Sequence, residues 1–164
     1  MRAFALFLML ALTGCGLRPM YSGGESGPVA AGLHSVSVQA IPGKAGWIVR
    51  KELVARLSHG DVATPRYRLE VELDDNITGY GIRGDRAATR ERRTLRARYR
   101  LVDLASGLVV VDATAGSDAG IDVVSSQYAT VAAEQSALER LSGVVADQIV
   151  GRLALFVSHG GQQP

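Results

Sequence analysis

The chain has 164 residues, of which 47% are hydrophobic and 21% charged, with a formal net charge of +2. This length fits one ordinary domain. A single cysteine excludes a disulfide framework, so a packed core must stabilise the fold. The overall charge points to no particular class of partner.

The first fifteen residues have the pattern of a bacterial lipoprotein signal peptide. Arg2 gives a positive start, residues 3–12 are uninterruptedly apolar, and Leu-Thr-Gly precedes Cys15. The apolar run is too short to cross a membrane, which takes roughly 20 residues. We therefore predict a signal peptide over residues 1–14, cleavage between Gly14 and Cys15, and acylation of Cys15. This covalent lipid would anchor the mature chain to a membrane.

The residue after the cysteine bears on which membrane holds the anchor. In lipoproteins an aspartate at that position commonly retains the protein at the inner membrane. Gly16 stands there in this chain, which favours the outer membrane. The alternative interpretation is an ordinary secretory signal whose cysteine is incidental.

The segment after the anchor is predicted to be a flexible tether over residues 15–32, because it is rich in glycine and proline and has no periodicity. A single domain is predicted over residues 33–164. Within it, residues 35–39 alternate as a short strand. A helix is expected from Trp47 to Leu57, where Val49, Leu53 and Leu57 recur four apart.

Two strands with alternating faces follow. Their inward positions are apolar: Tyr67, Leu69, Val71 and Leu73 on the first, and Leu95, Ala97, Tyr99 and Leu101 on the second. Residues 103–107 are predicted to form a turn into a hairpin partner over residues 108–115. The segment from Asn76 to Arg93, between the first two of these strands, is expected to be a loop.

The last predicted element is a helix from Gln127 to Val157. Ser125 and Ser126 are its candidate N-caps, and Gly160 follows its end. Its apolar positions recur every three or four residues: Val131, Leu138, Leu141, Val145, Ile149, Leu153 and Phe156. The predicted fold class is α+β, a four-stranded sheet with two helices packed on one face, in the order β-α-β-β-β-α.

Motifs for catalysis, metals or nucleotides are weak. Residues 79–84 match G-x-G-x-x-G, but residues 85–93 lack the apolar stripe of the helix that would hold a pyrophosphate. His34, His59 and His159 are isolated, so no metal site is predicted. No G-x-S-x-G and no Ser/His/Asp set is apparent. We expect no enzymatic activity, and no cofactor beyond the lipid on Cys15.

Eight arginines lie between residues 83 and 100, against only Asp85 and Glu91. Cross-strand ion pairs with strand carboxylates are the simplest interpretation of three of them, Arg96, Arg98 and Arg100. Four others outnumber the local acids and are candidates for binding phosphates: Arg86, Arg90, Arg92 and Arg93. Nucleic acid is not expected as a partner, because Tyr80 is the only aromatic residue near this stretch and a lipid-anchored envelope protein rarely meets nucleic acid.

Short blocks along the chain resemble the lipopolysaccharide-assembly lipoprotein family LptE. Residues 15–21, CGLRPMY, are similar to the family's opening C-G-F-R-P-L-Y. Residues 66–69 (RYRL), 97–103 (ARYRLVD) and 126–129 (SQYA) resemble its later blocks in the same order. The likeness spans nearly all of the mature chain, and the predicted element order agrees with the family's fold.

The resemblance implies a lipid-anchored protein on the periplasmic side of the cell outer membrane. Such a protein plugs the lumen of the LptD β-barrel, helps it assemble and assists lipopolysaccharide transport to the outer leaflet. The implied partners are LptD and lipopolysaccharide, and the phosphates of the latter suit Arg86, Arg90, Arg92 and Arg93. The family's binding residues do not match one for one between Asn76 and Arg93, so this choice of arginines is a hypothesis.

Two other functions stay open. One is an accessory lipoprotein of another envelope lipid-transport system. The other is a tethered envelope hydrolase, for which the sequence offers no nucleophile and no metal set.

Overall fold

The computed structural model describes residues 27–57, 64–82 and 88–160, so Gly14, Cys15 and Arg86 lie outside the described residues. In chain order the elements are α1 (Pro28–His34), β1 (Val36–Val38), α2 (Gly43–Leu57), β2 (Tyr67–Ile82), β3 (Ala88–Asp103), β4 (Val109–Asp122) and α3 (Gln127–Ser158). The four strands form one sheet in the order β1-β2-β3-β4. β1 pairs parallel to β2, and the other neighbours are antiparallel.

The α+β class and the order from β1 to α3 are confirmed, but the predicted helix count is wrong. Residues 28–32, assigned above to the tether, begin the additional helix α1. Seven residues are too few to show helical periodicity, and Pro28 occupies the first turn, where its missing N–H costs nothing. Packing holds the helix: Leu33 is buried, and Gly32 lies directly against Val157 near the end of α3.

The core lies between one face of the sheet and helices α2 and α3. The predicted alternation is confirmed on β3, where Leu95, Ala97, Tyr99 and Leu101 are all buried. Tyr67 of β2 packs edge-on against Phe156 of α3, with ring centroids 5.9 Å apart. Apolar burial on this one face supplies the main driving force for folding, and the opposite face of the sheet stays open.

Helices α2 and α3 bury most of the predicted apolar stripes. On α2, Val49, Leu53 and Leu57 have no exposed surface. On α3 the prediction holds from Leu138 to Phe156 but is wrong for Val131, which is 54% exposed. By length and composition α3 could cross a membrane, yet half of its most apolar stretch is buried inside the domain, as in a core helix. Its N-cap is Ser126, whose hydroxyl accepts a hydrogen bond from the Ala129 N–H at 3.4 Å.

Strands β2 and β3 are longer than predicted. The expected loop from Asn76 to Arg93 is wrong, because the antiparallel register continues from Asn76↔Thr94 to Ile82↔Ala88. We call residues 67–73 with 97–103 the proximal half of this hairpin, and residues 74–82 with 88–96 the distal half. α2 has 15 residues and spans about 22 Å, whereas a 16-residue strand spans about 53 Å. Helix α2 is therefore too short to cover the distal part of β2. That part lacks the apolar alternation by which a strand is predicted from a sequence.

The turn between β3 and β4 lies at the proximal end, as predicted. The Asp103 carboxylate accepts hydrogen bonds from the N–H groups of Ala105 and Ser106, at 2.8 and 3.1 Å. Gly107 has a φ of +72°, which suits a residue without a side chain. β4 then runs to Asp122, beyond the predicted end at residue 115.

Candidate functional site: the arginine-rich sheet

Strand alternation separates the predicted phosphate-binding arginines onto two faces. Arg90 and Arg92 lie on the same side of β3 as Arg98, the open face of the sheet, whereas Arg93 lies on the side of buried Leu95, facing the helices. The structure therefore does not bring these three together, and Arg86 falls outside the described residues. The assignment of these residues to lipopolysaccharide stays a prediction.

Arg93 is held in a largely buried ion pair. Its guanidinium donates to both carboxylate oxygens of Asp75, at 2.8 and 2.6 Å, and its Nη1 donates to the Glu134 carbonyl of α3 at 2.9 Å. The Arg93 side chain is only 12% exposed. Two parallel hydrogen bonds between a guanidinium and a carboxylate fix the geometry of the pair. Removing one partner leaves the charge of the other poorly hydrated. Arg93 thus fastens α3 to the distal half of the hairpin.

Arg92 and Arg90 are accessible on the open face. The Arg92 guanidinium lies 5.5 Å from the ring centroid of Tyr80 and 3.8 Å from an Asp118 carboxylate oxygen. Arg90 pairs with Asp122 at 3.2 Å, with both side chains more than half exposed. Exposed pairs of this kind stabilise a protein by about 0–1 kcal/mol. An incoming phosphate can therefore displace these carboxylates at little cost in free energy.

The other open-face arginines confirm the predicted cross-strand pairs only in part. Arg98 binds Asp112 of β4 at 3.0 Å, and Arg100 lies 3.5 Å from Glu70 and 3.4 Å from Glu72 of β2. The hydrogen bond from Arg98 lowers the pKa of Asp112 and raises the pKa of Arg98 itself. For Arg96 the prediction is wrong, since it forms no ion pair with any residue that the structure describes.

Arg96 instead lies across the edge strand. A Cβ at Gly116 would come too close to the Arg96 side chain and to the Leu95 carbonyl oxygen, so a larger residue there would force one of them to shift. Gln148 of α3 pairs with the backbone of the edge strand at the same residue. Its side-chain amide accepts a hydrogen bond from the Gly116 N–H at 3.0 Å and donates one to the Gly116 carbonyl at 3.4 Å. Beside Arg96, a shallow hollow of about 450 Å³ is lined by Glu72, Asp74, Arg98 and Thr114 among others. Sequence reasoning missed both features, although the glycine in an alternating strand was a signal.

The other motifs of the sequence acquire structural roles. Gly79 and Gly81 lie inside β2, and strand β3 begins at Ala88, so no helix follows the nucleotide fingerprint among the described residues. His159 caps α3, with its Nδ1 2.7 Å from the Leu155 carbonyl, and His34 ends α1, while His59 lies outside the described residues. Within residues 27–57, 64–82 and 88–160 no three His, Cys, Asp or Glu side chains are grouped to hold a metal.

Solved structures of lipoproteins have a similar fold. A Caulobacter crescentus CB15 protein described as a lipoprotein is 26% identical, with a TM-score of 0.66, and the match covers 84% of this chain and 99% of that one. Lipoprotein B from Nitrosomonas europaea is 12% identical with a TM-score of 0.56, covering 79% and 88%. The rare lipoprotein B from Shewanella oneidensis is 11% identical with a TM-score of 0.53, covering 76% and 96%. The last two identities support the shared fold alone.

No curated protein matches the chain. The family model described as LptE, lipopolysaccharide-assembly, matches residues 33–153, which contain every strand of the sheet and most of α3. The chain therefore belongs to the LptE family of lipopolysaccharide-assembly lipoproteins.

Proposed function

We propose that this protein is a non-enzymatic outer-membrane lipoprotein whose domain plugs the LptD β-barrel, helps it assemble and assists lipopolysaccharide transport to the outer leaflet. The observation that carries the proposal is the family match over residues 33–153. It is supported by the lipoprotein pattern that ends at Cys15. The runner-up, an accessory lipoprotein of another envelope lipid-transport system, shares the anchor but has a different partner.

The open face of the sheet suits the inside of a barrel. Large β-barrels of the outer membrane have polar interiors, so a plug needs a polar exterior. The open face supplies one along the length of β3, where Arg90, Arg92, Arg98 and Arg100 alternate with residues of the helix-facing side. Most of these charges are already paired with carboxylates of β2 and β4, which lowers the cost of bringing them near another protein.

The attachment of lipid at Cys15 can be tested by mass spectrometry of the mature N-terminus. We expect cleavage after Gly14 and a mass increase equal to the acyl groups on Cys15. Cys15→Ala should leave an uncleaved precursor without this increase. A mature chain with an unmodified thiol would refute the anchor and favour an ordinary secretory signal.

For lipopolysaccharide we propose Arg90 and Arg92 as the binding pair among the described residues. Both are accessible, both lie on one face, and Tyr80 flanks Arg92. Arg90→Ala with Arg92→Ala should weaken lipopolysaccharide binding by roughly tenfold or more at low salt, and the loss should shrink as salt screens the charges. Arg98→Ala with Arg100→Ala removes the same charge from the proximal half and is the matched control. Equal affinity of all three proteins would refute this assignment.

Partner identity is tested by co-purification. The acylated chain, extracted from its native envelope in mild detergent, should bring down LptD as a stable complex. Recovery of a different transport component in its place would support the runner-up and refute the plug.

A further inference from the structure

The exposed face of α2 carries cations and an aromatic ring. The helix buries Ile48, Val49, Leu53 and Leu57 in the core, and its opposite face is solvated. The exposed face presents four large side chains: Lys44, Trp47, Arg50 and Lys51. Trp47 is 66% exposed, and the Lys51 ammonium lies 6.0 Å from its ring centroid. The two lysines and the tryptophan are the only ones in the whole chain.

No carboxylate among the described residues forms an ion pair with Lys44, Arg50 or Lys51, in contrast to most arginines of the sheet. The only acidic residue of α2, Glu52, is engaged by Arg56 at 2.6 Å, and Arg56 also binds Asp147 of α3 at 2.6 Å. The face therefore has three positive charges that lack an ion-pair partner within the described residues, and one of them, Lys51, lies against the Trp47 ring.

The position of the face limits what can cover it. Twelve peptide steps separate Cys15 from Gly27, and an extended chain covers at most about 3.6 Å per residue, so the lipid anchor lies within about 43 Å of Gly27, the N-cap of α1. α1 packs against the C-terminal end of α3, which lies at the proximal end of the sheet. α2 contacts β2 and also β1, which pairs with residues 67–69 of the proximal half. A bilayer surface is therefore within reach of α2 whenever the chain is anchored.

We infer that the Lys44–Trp47–Arg50–Lys51 face of α2 docks on the anionic phospholipid headgroups of the leaflet that holds the lipid anchor. Basic side chains near a membrane are attracted by its negative surface potential, and tryptophan prefers the headgroup region. The apolar side of α2 stays in the core, so the contact is an electrostatic adsorption with one ring at the headgroups. This inference rests on the acylation of Cys15, but not on the identity of the barrel partner.

The single tryptophan reports the contact directly. The mature acylated chain is reconstituted into vesicles of phosphatidylcholine, with or without phosphatidylglycerol, and Trp47 emission is excited selectively. In the anionic vesicles at low salt we expect a blue shift, quenching by brominated lipids and protection from acrylamide. High salt should reverse all three effects.

Two charge-matched variants localise the effect. Lys44→Gln with Lys51→Gln should lower the ratio of docked to undocked chains by on the order of tenfold or more. Arg96→Gln with Arg140→Gln removes the same charge from other exposed positions and should change the ratio little, because neither arginine lies on the α2 face. Trp47 is kept in both variants.

Several results would overturn the inference. Equal access of acrylamide to Trp47 in neutral and anionic vesicles would exclude a headgroup contact. If both double variants lowered the ratio of docked to undocked chains equally, the attraction would depend on net charge and not on the α2 face. Protection of Trp47 that appears only after a barrel protein is added would make this face a protein interface. A mature chain without acyl groups would remove the anchor and the inference with it. The Lys44→Gln, Lys51→Gln variant should still co-purify with LptD, so the two proposals fail separately.

Discussion

The two halves of the β2–β3 hairpin are built from the same strands but differ in what covers them. In the proximal half, Tyr67, Leu69 and Val71 of β2 are buried under helices. In the distal half, β2 is exposed from Asp74 to Gly81, and the helix-facing side of β3 includes the charged Arg93. The proximal half therefore holds the fold together by apolar burial. The distal half has Leu95 at its inner end as a buried anchor and beyond it relies on backbone pairing, the Arg93–Asp75 ion pair and the exposed pairs of Arg90 and Arg92.

This difference separates stability from recognition. Residues that stabilise the fold are concentrated where α2 and α3 meet the sheet, while the accessible arginines Arg90 and Arg92 extend beyond α2. Substitutions on a surface that contributes little to the free energy of unfolding cost little, so the side chains there can be those that suit a partner. We therefore expect substitutions in the two halves to have unequal effects on folding.

The largest difference should come from apolar truncations. Leu53→Ala removes a side chain with no exposed surface, and we expect a loss of about 3 kcal/mol in the free energy of unfolding. Ile77→Ala in the distal half should cost about 0.5 kcal/mol or less, since that side chain is partly solvated. Urea unfolding measures both. Similar losses for the two variants would contradict the comparison.

Arg93 is the expected exception in the distal half. Arg93→Gln should destabilise the protein by about 2 kcal/mol, because it leaves Asp75 without its partner in a partly buried site. Arg90→Gln, which breaks the exposed pair with Asp122, should cost less than about 1 kcal/mol. Hydrogen exchange should also rise in the first turns of α3 for the Arg93 variant only. Unchanged exchange there would mean that Arg93 does not fasten the helix.

A smaller effect is expected at the start of α3. Ser126→Ala removes the N-cap hydrogen bond to Ala129 and should cost about 1 kcal/mol. Ser125→Ala is the control, since Ser125 lies outside the helix and is not its cap. Thermal unfolding compares the two variants. Equal melting temperatures would mean that the Ser126 cap does not stabilise the fold.

The smallest effect is a pH dependence at the proximal turn. Hydrogen bonds from the backbone N–H groups of Ser106 and Ala105 lower the pKa of Asp103 in the folded protein. The ionised carboxylate thus stabilises the fold above its unfolded pKa of about 3.9, and this contribution is lost as the pH falls through the lower folded pKa. Asp103→Asn should flatten the stability profile below about pH 4 relative to the native chain. An unchanged slope would contradict the role of Asp103 in the turn.

The sequence predicts the proximal half well because burial leaves a pattern there. The alternation of Ala97, Tyr99 and Leu101, and the spacing of Val49, Leu53 and Leu57, are direct consequences of packing against one core. The turn at Asp103 and the cap at Ser126 were also predictable, since each uses a local hydrogen bond that its residue type favours. These features require no knowledge of distant contacts.

The distal half and the candidate site were less predictable because their structure depends on pairing between distant residues. Nothing in the residues from Asn76 to Arg93 alternates, so the extended strands follow only from their register. Arg93 and Arg92 are neighbours with equal charge, yet they lie on opposite faces, and only the strand assignment separates a structural ion pair from an accessible cation. The short helix α1 is likewise stabilised by contacts with the far end of the chain.

The central claim is that the open face of this domain lies inside the LptD barrel, and site-specific photo-crosslinking tests it most directly. A photoreactive side chain is placed on the open face of the sheet, in the chain expressed in its native envelope. One position is Thr78 of β2, in the distal half, and the other is Thr114 of β4, which pairs with Arg98 of the proximal half. We predict crosslinks to LptD from both positions, and none from a probe at Lys51 on α2. Crosslinks from Thr78 and Thr114 to no barrel, in cells where the mature chain is acylated and folded, would contradict the account.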